Sequence, residues 1–156
     1  MLKRIHRSLF FCTLILSGCG GSTPENLASK YSLVLTATPY INAMPSALVP
    51  GQTAPCTSLI VLFEVTSKTL TLPNGMVPKT VSIQKNGTAI WSQAVSATET
   101  NLINNQTLKG VARGCSPDGI SVGETLELRF LIAAENSEIE IPASAKLSIV
   151  YWGQRL

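Results

Sequence analysis

An antiparallel β-sandwich is the fold class that this sequence predicts, and three observations predict it. Runs rich in Val, Ile, Leu, Phe and Thr recur from residue 31 onward with a period of two, while helical periodicity is scarce. Turn residues separate these runs at short intervals, giving about seven strands in roughly 120 residues. Asn86-Gly87, the strongest short hairpin signal in the chain, lies between two of the runs. No long-period internal repeat is visible.

The chain of 156 residues suits one domain with a short appendage, and the appendage comes first. Lys3, Arg4 and Arg7 make a positive start, Leu9 to Leu16 is an apolar run, and Ser17-Gly18-Cys19 is a small-residue end. This is the pattern of a secretory signal peptide. At ~1.5 Å per residue the apolar run covers about 12 Å of a hydrocarbon core of roughly 30 Å, too little for a permanent span. Leu16-Ser17-Gly18-Cys19 resembles the lipobox of bacterial lipoproteins, a likeness confined to the first twenty or so residues. The resemblance implies a diacylglycerol on the Cys19 thiol, cleavage just before it and usually acylation of the new amino terminus. Gly20 follows, where an Asp would imply retention in the inner membrane. The implied location is the bacterial outer membrane, facing the periplasm, with the cell surface as the alternative.

Residues 20–30 are small and polar, with two Gly and a Pro, and read as a flexible tether. The expected division is thus a signal peptide at 1–18, a lipidated Cys and tether at 19–30, and a sandwich domain at 31–156.

Within that domain, 31–38 reads as a first strand and the Pro-rich stretch 39–55 as a loop. Thr57 to Val65 is almost continuously apolar, as a central strand requires. Pro73-Asn74-Gly75 is turn chemistry. Lys79 to Lys85 and Thr88 to Ala94 form the hairpin around Asn86-Gly87. A regular two-residue loop pairs Lys85 with Thr88, Ile83 with Ile90 and Val81 with Ser92, and that register puts Trp91 on the polar face opposite Ser82. Thr107 to Ala112 is a weaker strand, followed by a turn-rich loop from Gly114 to Gly119. Glu124 to Ala134 alternates, with Leu126, Leu128, Phe130 and Ile132 on one face. Glu138 to Ile141 reads as a short edge strand ended by Pro142. Lys146 to Trp152 closes the domain, with Trp152 as a strand-end plug.

The strand count and the hairpin from Val81 to Trp91 resemble those of bacterial immunoglobulin-like and fibronectin-III-like sandwiches. The pattern departs from antibody domains, whose disulfide joins two core strands around a Trp.

Of the four cysteines, Cys12 leaves with the signal and Cys19 is assigned to the lipid, so Cys56 and Cys115 remain. An even pair in an oxidising compartment reads as a disulfide. In an up-and-down arrangement the loops preceding Cys56 and following Cys115 share one pole, which the bond would staple.

Charge and residue types narrow the function. Removing Lys3, Arg4 and Arg7 from the 12 basic side chains leaves nine against nine acidic ones, so the mature part is neutral and no nucleic acid is expected as a partner. The single histidine, His6, lies in the signal, which removes Ser-His-Asp and Cys-His catalysis and the commonest metal ligand. Glu124 and Glu127 are three apart on a strand and point to opposite faces, so they cannot work as a glycosidase pair; Glu64 with Glu127 is a remoter option. Glu135, Asn136, Glu138 and Glu140 lack calcium-loop spacing and read as a solvated acidic edge. No GxGxxG or P-loop is present. No cofactor, metal site or catalytic residue is therefore assigned. The leading expectation is a non-enzymatic, membrane-anchored envelope module that binds or supports another envelope component. The alternative is a carbohydrate- or ligand-binding module anchored on a solvent-facing Trp91. An envelope hydrolase using Ser or Glu is a third, weaker option.

Overall fold

The computed structural model describes residues 27–43, 56–68, 71–72, 75–134 and 137–151. Cys12, Cys19, Glu135, Asn136, Trp152, Pro73-Asn74, the stretch 44–55 and the signal lie outside the described residues.

Among the described residues, nine strands form two sheets. They are β1 (Leu33–Asn42), β2 (Ser58–Ser67), β3 (Val77–Lys85), β4 (Thr88–Ala94), β5 (Asn101–Ile103), β6 (Thr107–Cys115), β7 (Thr125–Ala134), β8 (Ser137–Lys146) and β9 (Ser148–Val150). One sheet has the order β5-β6-β2-β1-β9 and the other β4-β3-β7-β8. The β1-β2-β6-β5 order opposite β4-β3-β7-β8 is the Greek-key arrangement of an immunoglobulin-like sandwich. All neighbouring strands are antiparallel except β1 and β9, which run parallel over Tyr40–Asn42 and Ser148–Val150.

Alternation builds the core. Leu59, Val61, Phe63 and Val65 of β2 point inward to meet Leu126, Leu128, Phe130 and Ile132 of β7, all buried. Phe63 and Phe130 meet edge to face with ring centroids 5.1 Å apart, which joins the two sheets at their centre. Opposite Phe63 on β6 stands Gly110, and a β-carbon there would overlap the Phe63 ring. The glycine is what lets the phenyl ring lie across the neighbouring strand.

Five local expectations are corrected. β1 does not stop at Thr38 but runs through a fully buried Pro39 to Asn42. Its second neighbour, β9, begins pairing only at Tyr40, so the missing Pro39 N–H leaves no partner waiting on that side. β8 likewise continues through Pro142 to Lys146, because β7 is its only strand partner among the described residues and an edge strand tolerates a proline facing away. β5 was not foreseen; its three exposed residues turn into β6 through Asn104 and Asn105, both at φ 53°. The end of the expected tether, Leu27–Lys30, is a single helical turn, α1.

The fifth correction concerns the hairpin. Asn86 and Gly87 take φ 52° and 77°, as its tight turn requires, and Lys85 faces Thr88 as expected. Beyond that the register shifts: Gln84 faces Ala89, and Ile83 faces Trp91 rather than Ile90. Ile90 is the extra residue of a β-bulge on the edge strand. The slip moves Trp91 from the outer face to the core face, where it is 6% exposed.

The sheet edges are each blocked in a recognisable way. β5 and β9 have three residues each, β4 carries the bulge, and β8 carries Pro142 with Glu138, Glu140 and Lys146 outward.

Candidate interaction surface

Strand direction assigns the loops to two ends. β1, β3, β6 and β8 run toward one pole, so the hairpin tip at Asn86-Gly87, the loop 116–124 and the start of β2 share it. The Cys56–Cys115 disulfide lies there, with Cα atoms 5.5 Å apart and a sequence separation of 59. It joins neighbouring strands of one sheet, since Cys115 is the last residue of β6 and faces Ser58 of β2. The Ser116 N–H donates to the Thr57 carbonyl at 2.7 Å and extends the ladder past the sulfurs. The disulfide therefore staples one pole, within a sheet rather than between sheets.

The opposite sheet is tied to this staple through Trp91. Its indole N–H donates to the Cys115 carbonyl at 2.9 Å. Beside it, Gln93 covers Gly114 so closely that a β-carbon there would lie 2.7 Å from the amide group. A buried ring with a satisfied N–H is a structural cross-brace, and the solvent-facing Trp91 anchor considered from sequence is not present.

A second tie was missed. Lys85, next to the hairpin tip, donates through Nζ to the Gly119 carbonyl and pairs with Glu124 Oε1 at 3.4 Å. The Ser121 N–H donates to Glu124 Oε2 at 2.9 Å. That backbone hydrogen bond holds the Glu124 carboxyl below its ordinary 4.5, opposed by partial burial and reinforced by the Lys85 charge. The Ser121-Val122-Gly123-Glu124 spacing, which matches a capping box, was the available signal.

The remaining acidic groups do not converge. Glu64 points out from one sheet and pairs with Lys109 at 3.1 Å, whereas Glu127 points out from the other, so the hydrophobic core separates them. Glu140 pairs with Arg129, and Glu99 with Arg113 at 2.6 Å. Among the described residues, no group of three His, Cys, Asp or Glu side chains could hold a metal ion.

The far pole receives the chain from its N-terminal side. Ser67 Oγ donates to the Tyr31 carbonyl at 2.8 Å, and the Ser67 N–H donates to the Gln106 carbonyl at 2.9 Å. Leu72 N–H donates to Asn105 O at 2.8 Å. These bonds sew the exit of α1, the end of β2, Leu72 and the β5–β6 turn into one rim. The rim carries the exposed apolar side chains Val77, Leu102 and Ile103, while Val122 and Tyr151 are exposed at the disulfide pole.

No protein-family model matches the chain, and no curated protein or solved structure matches it either.

Proposed function

We propose that this chain is a bacterial lipoprotein, held in the outer membrane through Cys19, whose sandwich serves as a non-enzymatic interaction or structural module of the cell envelope. One observation carries the reading. Lys3, Arg4 and Arg7, the Leu9–Leu16 apolar run and Leu16-Ser17-Gly18-Cys19 follow one another in the order and spacing of a lipoprotein signal. The Cys56–Cys115 bond is consistent with it, because disulfides persist in the oxidising periplasm. A neutral mature chain without histidine supports a module that binds a protein or a polysaccharide partner over one that turns over a substrate. The polysaccharide option rests on polar sheet residues alone, since the Trp91 ring is buried.

Metabolic labelling with an alkynyl fatty acid in a bacterial host tests the anchor. The wild-type chain takes up the label and partitions with outer-membrane vesicles; Cys19→Ala takes up none and is released to the soluble fraction. Equal labelling of both chains would sink the proposal. In-cell crosslinking of the intact chain then tests the module: discrete crosslinked bands are expected, and their absence together with turnover of peptidoglycan or ester substrates would favour a hydrolase.

A further inference from the structure

We infer that the pole bearing α1, the end of β2, the start of β3 and the β5–β6 turn rests against the lipid bilayer, with Leu102, Ile103 and Val77 at the level of the phospholipid headgroups. The inference rests on the reading of Cys19 as the anchored residue.

The chain itself indicates which pole is near the membrane. Seven residues separate Cys19 from Leu27, where α1 begins. As a coil such a segment averages about 15 Å end to end. The ten residues of β1 extend roughly 30 Å. The disulfide pole is thus about twice the coil length away, and could reach lipid only with the tether stretched back along the whole sandwich. The α1 pole has no such constraint, and its hydrogen bonds fix it to the rim: Lys68 N–H to Ser32 O at 3.4 Å, and Ser67 Oγ to Tyr31 O at 2.8 Å.

The chemistry of the rim fits an interfacial contact. Leu102 is 57% exposed, Val77 43% and Ile103 38%. Leu102 borders a groove of about 410 Å³ whose apolar wall is Leu72, Met76 and Leu108 and whose polar wall is Thr71 and Asn105, so inward of it the rim is mixed, as an interfacial surface is. Gly75 joins this groove to a second, of about 400 Å³, that runs past Val77 to Lys79 and Glu138. Lys79 is exposed beside Val77, with Glu138 as the acidic neighbour, and Lys68, also exposed, follows Ser67 on the same rim. Apolar tips flanked by lysines are what the headgroup–acyl boundary accommodates, the ammonium groups staying beside phosphates. A short lipid tether supplies the rest, because it holds the rim at high effective concentration over the surface.

The test uses the full-length chain purified from membranes and reconstituted into phosphatidylethanolamine–phosphatidylglycerol vesicles. An environment-sensitive fluorophore is placed on a cysteine introduced as Leu102→Cys, as Val77→Cys or, at the disulfide pole, as Val122→Cys. Labels at 102 and 77 should shift to the blue and be quenched by brominated acyl chains, whereas the label at 122 should do neither. An aqueous, unquenched label at 102 and 77 in a chain that floats with the vesicles would overturn the docking and leave the anchor intact. A blue shift that rises with protein density but resists brominated lipid would mean that a second copy or another protein covers the rim, and would also overturn it. Failure to float, or reaction of the thiol-directed fluorophore with a free Cys19 in the wild-type chain, would remove the anchor and the inference with it.

Discussion

The indole of Trp91 donates to the carbonyl of Cys115 at 2.9 Å, and through this bond an edge strand of one sheet grips the disulfide-bonded strand of the other. Trp91 sits on a seven-residue edge strand, and Cys115 is the last residue of its own.

Trp91→Phe keeps an aromatic ring and removes the N–H. It leaves the Cys115 carbonyl without its indole donor, which costs about 1–3 kcal/mol, with the smaller ring adding a packing loss. Urea denaturation should show the midpoint falling with the slope unchanged. An unaltered midpoint would mean that the hydrogen bond is not formed in solution.

The Cys56→Ser, Cys115→Ser double variant should lose more. Closing a loop with a sequence separation of 59 removes unfolded-chain entropy equivalent to about 4 kcal/mol, an upper figure in the chain-entropy account. The native sheet should persist, because Ser58 still faces residue 115 and the Ser116 N–H still reaches Thr57 O. Circular dichroism should therefore match the wild type while the denaturation midpoint falls, and reducing agent should move the wild type toward the variant. Equal midpoints with and without reductant would exclude any stabilising role for the staple.

The same pole shows where sequence reasoning succeeds and where it stops. Alternation in β7 is a strong local pattern, so its inward residues were readable, and the continuous apolar run marked β2 as a central strand without fixing its faces. The pairing of Cys56 with Cys115 was the simplest reading of the two remaining thiols, and strand parity reached the right pole although it missed β5, because β4 and β5 both end at the far pole. The register of the hairpin did not survive. Asn86-Gly87 fixes the turn, but a bulge at Ile90 depends on how the edge strand settles over the opposite sheet, and one extra residue inverts the face of Trp91. Pro39 and Pro142 were read as strand stops because a proline's tolerance depends on whether its absent N–H faces a partner, which only the sheet order reveals. β5 is too short to carry a period.

Gly110→Ala tests the packing at the centre of the sandwich. The new methyl would overlap the Phe63 ring, which is 4% exposed and held against Phe130, so it cannot swing aside freely. Overpacking of this kind costs about 1–3 kcal/mol. Adding Phe63→Leu should recover part of that loss, so that the double variant is more stable than the two single effects summed. Thermal unfolding of the four chains measures the coupling, and strict additivity would show that the two positions are not in contact.

The latch at Lys85, Ser121 and Glu124 yields a pH prediction with a defined sign. The Ser121 N–H and the Lys85 charge favour the ionised carboxylate, so the folded pKa of Glu124 lies below 4.5 and the unfolded chain binds the proton more tightly. The latch therefore contributes fully above about pH 4.5 and is lost as pH falls through the folded value. Carbon-detected NMR of the Glu124 carboxyl should give a midpoint below 4.5, with the amide of Ser121 titrating alongside it. The stability difference between the wild type and Glu124→Gln should be constant near neutral pH and shrink on acidification. A Glu124 midpoint at or above 4.5, or a Ser121 amide that does not follow it, would show that the latch is open in solution.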